Sequence, residues 1–129
     1  MNAFDNPPEK DSLKASAQQK AALRLIGSLK IGAQDTVINI ACGPGDITNL
    51  LAKATNGKVT GIDVSESMIE HARSLYPQIE FKQLATENLA YNNEFDIAFC
   101  NSPFLWVGDP DKAIKAIHRT LKNSGKFGL

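Results

Sequence analysis

Short apolar runs alternate along the 129-residue chain with longer segments in which apolar residues recur every three to four positions. Apolar runs bounded by turn residues are typical of buried strands, whereas the wider spacing is typical of amphipathic helices. The predicted strands span residues 36–41, 58–63, 79–84, 94–100 and 126–129, and the predicted helices span residues 12–30, 47–54, 66–75 and 110–121. Strands that alternate with helices favour right-handed crossovers and a parallel sheet. The sequence therefore predicts a doubly wound α/β domain over residues 12–129, preceded by a flexible lead-in at residues 1–11.

Local signals mark the ends of these helices. Ser65 is a suitable N-cap for the third helix, and Pro77 prevents that helix from extending further. Asp109 is the expected N-cap of the fourth helix, with Pro110 at its first position. We expect Gly32 to end the first helix.

The charge balance and the cysteine content exclude several kinds of partner. Lys plus Arg and Asp plus Glu number 14 each, so no overall field attracts nucleic acid or an anionic membrane. The apolar runs are too short to span a bilayer, and residues 1–5 lack the basic start and hydrophobic core of a signal peptide. Cys42 and Cys100 form no C-x-x-C pair, and with two histidines they supply no metal site. We therefore expect a cytoplasmic protein without nucleic-acid, membrane or metal partners, in which both cysteines are small buried residues.

The most informative segment is the turn that follows the first predicted strand. The run from Val37 to Ala41 is mostly apolar, and the chain then breaks at Gly43-Pro44-Gly45 into a helical pattern. The next predicted strand ends on a single carboxylate, Asp63. A glycine turn lets a ligand lie against bare backbone, and an acid at the tip of the next strand can accept hydrogen bonds from two ribose hydroxyls. This arrangement predicts the adenosine half of a nucleotide-type site.

The spacing within the turn narrows the choice of ligand. Dinucleotide fingerprints follow G-x-G-x-x-G/A, and the amides of their helix hold a pyrophosphate. Thr48 stands where the third small residue belongs, and Asp46 places a negative charge where a pyrophosphate would lie. No Gly-Lys-Ser/Thr follows, which excludes a Walker loop. The pattern is instead A-x-G-x-G, with Ala41, Gly43 and Gly45, and it disfavours the alternative of an NAD-dependent oxidoreductase.

Five motifs follow one another in order over about residues 30–129. They occupy residues 39–45, 61–68, 81–89, 95–101 and 109–125. This set resembles the class I S-adenosylmethionine-dependent methyltransferases. The resemblance implies a Rossmann-like fold, S-adenosylmethionine as the cofactor, methyltransferase activity and a small-molecule methyl acceptor. Residues 104–110 are similar to the branch that esterifies small carboxylic acids, such as the trans-aconitate and malonyl-thioester methyltransferases.

The resemblance also implies which residues bind the cofactor. They lie in the glycine turn and after the second, third and fourth predicted strands: Ala41, Cys42, Gly43, Gly45, Asp63, Val64, Met68, Thr86, Glu87 and Asn101. No catalytic residue is assigned, because the donor carries its own activation and a carboxylate acceptor is already a nucleophile. Trp106 follows the fourth strand, where it either lines the substrate pocket or covers the sheet.

Three residues depart from the family pattern. Asn39 stands where an acid is usual, Ala41 replaces the first glycine, and Ala85 replaces an Asp that commonly binds the adenine amino group. Loss of that last hydrogen bond is expected to cost roughly 0.5–1.5 kcal/mol. Glu87 or Asn88 is the candidate substitute for the missing acid.

The length of the chain carries a further expectation. The resemblance implies a sheet of seven strands, and the sequence ends a few residues into the fifth. Either it is a truncated form or it is an unusually short relative, and we favour truncation. An incomplete sheet has an unpaired edge that recruits other chains, so we expect self-association through the C-terminal edge and little activity of this form. The rival interpretation is a non-catalytic module that binds S-adenosylmethionine or a nucleotide.

Overall fold

The computed structural model describes residues 20–100 and 108–128, in which strands and helices alternate as predicted. The strands are β1 (Val37–Ile40), β2 (Val59–Asp63), β3 (Glu80–Gln83), β4 (Phe95–Cys100) and β5 (Leu121–Gly128). The helices are α1 (residues 20–29), α2 (Asp46–Ala54), α3 (Glu66–Leu75) and α4 (Pro110–Thr120). A turn of 3₁₀ helix (Thr86–Asn88), which the sequence did not predict, lies between β3 and β4. The predicted lead-in at residues 1–11 lies outside the described residues.

All five strands are parallel, and they lie in the order β3-β2-β1-β4-β5. At the end of the central strand, Ile40 is opposite Ile62 of β2 on one side and Cys100 of β4 on the other. The chain winds outward from β1 in both directions, as right-handed crossovers allow. The doubly wound parallel sheet predicted from the sequence is therefore confirmed. Its topology brings the carboxyl ends of β1, β2 and β4 together.

Alternate strand residues face two layers of helices. Val37 of β1 packs with Leu51 of α2, whereas its neighbour Ile38 packs with Ile117 of α4. Helix α1 joins the first layer, and α3 packs in that layer against Phe81 of β3. The core is thus a sheet covered on both faces, which leaves the loops at the strand ends available for ligands.

Two of the predicted helix caps are present. Ser65 Oγ accepts a hydrogen bond from Met68 N at 3.3 Å, and Asp109 Oδ1 accepts one from Lys112 N at 3.1 Å. Pro110 occupies the first helical position of α4, as expected. Over residues 20–100 and 108–128, no helix is long and apolar enough to cross a membrane.

The end of α1 differs in detail from the prediction. Lys30, with a φ of 52°, takes the left-handed conformation, and its N–H donates to Gly27 O at 3.3 Å. Gly32 lies beyond this end, where its N–H donates to Asp35 Oδ2 at 2.7 Å. The residue that ends the helix is therefore Lys30, and Gly32 belongs to the turn that follows.

Strand β5 starts earlier than predicted and is irregular. Leu121 lies opposite Phe95, but Ile97 lies opposite Lys126, so the register shifts between the two positions. The irregularity falls between Leu121 and Lys126 and includes the turn-forming run Asn123-Ser124-Gly125. Residues 126–128 of the segment predicted as the fifth strand form the regular part that follows.

Candidate functional site

The turn after β1 has an unusual backbone. Ala41, Gly43 and Gly45 have φ values of 55°, 57° and 93°, all in the left-handed region. Glycine takes this conformation at little cost, whereas alanine is strained by about 1–2 kcal/mol. The A-x-G-x-G spacing thus coincides with the positions where the chain reverses direction between β1 and α2.

The two glycines of the turn are required for different reasons. A methyl group on Gly45 would lie 2.9 Å from Ala72 Cβ and 3.0 Å from Phe81 Cζ, so this glycine fills a packed position. A methyl group on Gly43 would meet no heavy atom of the described residues within 4 Å. Gly43 therefore leaves open space against bare backbone, which is where a ligand can approach the turn.

Asp63 joins the turn to the ends of β2 and β3. Its Oδ2 accepts the N–H of Gly43 at 2.9 Å, and its Oδ1 accepts the N–H of Ser65 at 2.9 Å. Its own carbonyl oxygen accepts the N–H of Leu84 at 2.9 Å. Each carboxylate oxygen can accept two hydrogen bonds, so both retain a free acceptor position. The half-buried carboxylate is thereby fixed in place and can still receive two hydroxyl groups.

A buried polar pair lies beneath the turn. Asn39 Nδ2 donates to Thr48 Oγ1 at 2.8 Å, and both side chains are fully buried. Asn39 Oδ1 has no hydrogen-bond partner within the part of the chain that the structure describes. A buried acceptor without a partner is uncommon in folded proteins, and a buried water is the natural partner for this atom.

Cys42 is held as an inert thiol within the turn. Burial, and secondly the charge of Asp63, raise the pKa of Cys42 to about 12. A thiol that stays protonated at neutral pH is a poor nucleophile. Neither Cys42 nor Cys100 forms a disulfide, and both are buried at the ends of the neighbouring strands β1 and β4, as expected, but their side chains belong to different apolar clusters.

A contact that the sequence did not reveal fixes the start of α2. Tyr76 Oη donates to Asp46 Oδ1 at 2.6 Å, and this hydrogen bond, more than burial, raises the pKa of Tyr76 to about 12. Asp46 is the first residue of α2, so its charge lies at the positive end of the helix dipole. A phosphate would meet that carboxylate, which makes the turn a poor pyrophosphate site.

The other predicted ligand residues extend from Asp63 towards β3 and β4. Val64 is 65% exposed directly after Asp63, and Met68 is half-buried in the first turn of α3. Thr86 is buried at the start of the 3₁₀ turn, and Glu87 Oε2 accepts the N–H of Gly108 at 3.0 Å. The side chain of Glu87 is therefore already engaged within the protein.

The predicted residues differ in how closely the structure brings them together. Ala41, Cys42, Gly43, Gly45 and Asp63 form one compact group at the ends of β1 and β2. Val64, Met68, Thr86 and Glu87 continue from this group along the same edge of the sheet. Asn101 and Trp106 lie outside the described residues. Within residues 20–100 and 108–128, no group of three or more His, Cys, Asp or Glu side chains could hold a metal ion.

The chain is similar in sequence to known methyltransferases. A sequence profile of the methyltransferase domain family matches residues 37–125. The demethylmenaquinone methyltransferase of Lactobacillus johnsonii is 34% identical over 110 residues, which cover 78% of this chain and 45% of that protein. A trans-aconitate 2-methyltransferase of an Azoarcus species is 30% identical over 116 residues, which cover 89% of this chain and 46% of that protein. The chain thus spans less than half the length of these relatives.

The fold is likewise similar to solved structures. The YcgJ protein of Bacillus subtilis superposes with a TM-score of 0.79 at 24% sequence identity. The superposition covers 84% of this chain and 49% of the YcgJ chain. At this level of identity the likeness shows the fold alone.

Proposed function

Because this chain belongs to the class I S-adenosylmethionine-dependent methyltransferase family, we propose that it binds S-adenosylmethionine and transfers the methyl group to a small molecule. We place the methyl donor at the carboxyl ends of β1, β2 and β4. The observation that carries the proposal is the joint geometry of Gly43 and Asp63, in which open backbone lies beside a fixed carboxylate with free acceptor positions.

The residues present fit such a donor. Asp63 would accept hydrogen bonds from the two ribose hydroxyls, and the open backbone at Gly43 would allow close approach of the ligand. The unpaired Asn39 Oδ1 is fully buried beneath the turn, so it would meet the polar end of the donor only through a buried water. The neutral amide of Asn39 provides a weaker attraction for an ammonium group than an acid would.

The remaining predicted residues shape the two ends of the site. Ala41, Cys42 and Gly45 set the course of the turn, which the packing of Gly45 against α3 and β3 holds in place. Val64 and Met68 supply apolar surface beside the base, and Thr86 contributes its backbone. Asn101, expected to complete the site after β4, stays a prediction from the sequence.

The chemistry requires little from the protein beyond alignment. When bound, S-adenosylmethionine supplies a methyl group on a positively charged sulfur, which is already activated towards nucleophiles. The chain contributes orientation and exclusion of water, effects that are worth several kcal/mol when the reacting groups are aligned. Cys42 does not serve as a nucleophile, because its thiol stays protonated at neutral pH.

We propose a carboxylate as the methyl acceptor. The trans-aconitate 2-methyltransferase named above supports this choice, as does the similarity of residues 104–110 to that branch. A carboxylate is a nucleophile at neutral pH, so no general base is needed. Transfer of a tritiated methyl group to a panel of small di- and tricarboxylic acids tests the acceptor class, with amines and phenols as the competing classes.

Binding and transfer have to be measured separately. Calorimetric titration with S-adenosylhomocysteine tests the donor site, and an Asp63→Ala variant is the matched control. Absence of binding to the wild-type chain contradicts the proposed function. The non-catalytic binding module considered above shares the donor site, and the family match does not favour it. Such a module would bind S-adenosylhomocysteine but would transfer no methyl group, even as part of a protein as long as the relatives.

We also propose that the chain self-associates through β5. Among residues 20–100 and 108–128, this strand pairs with β4 on one side and has no neighbouring strand of the sheet on the other, and Phe127 on it is 40% exposed. Exposed edge strands pair readily with other chains. Sedimentation of the 129-residue form should show dimers or larger species, and Phe127→Glu should shift the population to monomers. A wild-type monomer at all concentrations contradicts this proposal.

We expect the 129-residue form to show little turnover by itself, because the relatives that it matches are about twice as long. Robust transfer by a stable monomer would contradict that expectation. The cytoplasmic location expected from the sequence also stays a prediction, and cell fractionation tests it.

A further inference from the structure

The connection between β3 and β4 (residues 84–94, the β3–β4 connection) is joined to α4 at two places. At the amino end of the sheet, Arg119 Nη2 donates to Leu89 O at 2.7 Å, and Asn93 N donates to Arg119 O at 2.8 Å. Leu89 is buried in the same apolar cluster as Ile117 of α4. The connection and the C-terminal half of α4 therefore form one packed layer.

The second junction lies at the carboxyl end of the sheet, where the candidate site is. Glu87 Oε2 accepts the N–H of Gly108 at 3.0 Å. Gly108 directly precedes Asp109, the N-cap of α4, so the carboxylate of Glu87 lies near the positive end of that helix. A charge-assisted hydrogen bond thus ties the 3₁₀ turn to the start of α4.

The same 3₁₀ turn is continuous with the donor side of the site. Leu84 N donates to Asp63 O at 2.9 Å, and Gln83 Nε2 donates to Val64 O at 3.2 Å. The chain then enters the turn that carries Glu87. Glu87 therefore links two parts of this edge of the sheet. One is the end of β2, with the carboxylate proposed to bind ribose, and the other is the start of α4, which follows β4 on the opposite side of β1.

We propose that the start of α4 is the acceptor side of the site, and that Glu87 is a positioning residue that sets its spacing from the donor side at the ends of β2 and β3. Glu87 acts through Gly108, in contrast to the direct contact with the donor expected from the sequence. This inference rests on the proposed function, because the two sides have these roles only if the chain transfers a methyl group.

Three substitutions of Glu87 separate the effect of its side-chain length from the effect of its charge. Glu87→Gln keeps the length and an acceptor oxygen but removes the charge. Glu87→Asp keeps the charge but is one methylene shorter, and Glu87→Ala removes both. Hydrogen exchange at the Gly108 amide, followed by NMR without ligand, should be about tenfold faster in the Ala and Asp variants and only about two- to threefold faster in the Gln variant, which keeps the acceptor oxygen and loses the charge. Circular dichroism confirms that all three variants are folded.

Addition of S-adenosylhomocysteine tests the positioning role. Exchange at Gly108 should slow when the ligand binds to the wild-type and Gln forms, and this response should be lost in the Ala and Asp forms. The affinity for the ligand should stay within about threefold in all variants, because Glu87 does not touch it. A purely structural hydrogen bond would not transmit ligand binding to Gly108.

Three results overturn the proposal. Unchanged exchange in Glu87→Ala shows that the hydrogen bond holds nothing in place. Rescue by Asp but not by Gln shows that the charge, and not the reach, matters. A loss of affinity of about tenfold or more in Glu87→Ala shows direct contact with the donor. If the wild-type chain binds no S-adenosylhomocysteine, the proposed function fails, while ligand-free exchange in the variants still decides whether Glu87 holds Gly108.

Discussion

The glycine turn after β1 and the β3–β4 connection border the same candidate site, but they are held in place by different forces. In the turn, Gly45 is enclosed by Ala72 and Phe81, and both oxygens of Asp63 accept backbone N–H groups. In the β3–β4 connection, the contact beside the candidate site is the hydrogen bond between Glu87 and Gly108, which is exposed to solvent.

This difference shows how a single site combines a fixed part with an adjustable part. Packing defines the turn before any ligand arrives, so binding there requires little rearrangement. A solvent-exposed hydrogen bond is weaker and can open at small cost, which suits the side of the site proposed to admit the methyl acceptor. Substitutions in the turn should therefore have large effects on stability or binding, and substitutions elsewhere should have smaller ones.

The largest expected effect is that of Gly45→Ala. The new methyl group would strain a φ of 93° and collide with Ala72 and Phe81, so the free energy of unfolding should fall by about 2–4 kcal/mol. Urea denaturation measures this change.

Gly43→Ala is the matched control, because its φ is 57° but the methyl group meets open space. Its cost in stability should be only about 1–2 kcal/mol, whereas its affinity for S-adenosylhomocysteine should fall about tenfold or more. Equal losses of stability in the two variants would remove the distinction between the packed and the open glycine.

Asp63→Ala should weaken binding of S-adenosylhomocysteine by about 1.5–3 kcal/mol, the range for hydrogen bonds to a charged group. The variant should still fold, but with a stability lower by about 1 kcal/mol, since the N–H groups of Gly43 and Ser65 lose their acceptor. Calorimetry and urea denaturation measure the two effects. Asp63→Asn keeps an acceptor and should lie between wild type and Asp63→Ala. If Asp63→Ala binds S-adenosylhomocysteine with wild-type affinity, Asp63 does not contact the ligand and only holds the turn in place.

The buried thiol of the turn predicts a loss of stability in alkaline solution. The pKa of Cys42 is raised from 9.0 to about 12 in the folded chain. Its contribution to stability is therefore fully present below pH 9 and is lost as the pH rises towards 12. Tyr76, whose pKa is raised from 10.0 to about 12, adds to this loss at higher pH.

Thermal unfolding between pH 8 and pH 10 measures the Cys42 part, because the ordinary pKa of tyrosine lies at the top of this window. Cys42→Ala should flatten the slope of stability against pH there. An unchanged slope would mean that the thiol ionises as readily in the folded chain as in the unfolded one.

The smallest predicted effect is a gain in stability. Ala41 has a φ of 55°, so Ala41→Gly should relieve strain and raise the free energy of unfolding by about 0.5–1 kcal/mol. Lys30→Gly is the control, since Lys30 has a similar φ of 52° but lies at the end of α1. Both variants should gain stability and keep their affinity for S-adenosylhomocysteine. A loss of stability in Ala41→Gly would mean that the alanine methyl group packs favourably.

Local patterns in the sequence predicted the parts of the fold that depend on neighbouring residues. Apolar runs located the first four strands, the fifth was located only from residue 126 onwards, and the side chains of Ser65 and Asp109 cap the helices that they were expected to cap. The alternation of strands and helices was enough to predict the parallel sheet, because crossover handedness leaves few alternatives. The glycine pattern likewise located a turn whose backbone lies in the left-handed region.

Contacts between distant residues were not predictable in this way. The hydrogen bond from Tyr76 to Asp46 and the one from Gly108 to Glu87 join residues separated by 30 and 21 positions. No local pattern encodes such pairs, because they depend on how α3 and α4 lie on the sheet. The extension of β5 back to Leu121 was not predicted for the same reason, since its register is set by pairing with β4.

The most direct test of the central claim is a calorimetric titration of the wild-type chain with S-adenosylhomocysteine and, in parallel, with NAD. The open backbone at Gly43, the fixed carboxylate of Asp63 and the charge of Asp46 at the start of α2 together predict binding of S-adenosylhomocysteine and no binding of NAD. Comparable affinity for the two ligands, or tighter binding of NAD, would contradict the account.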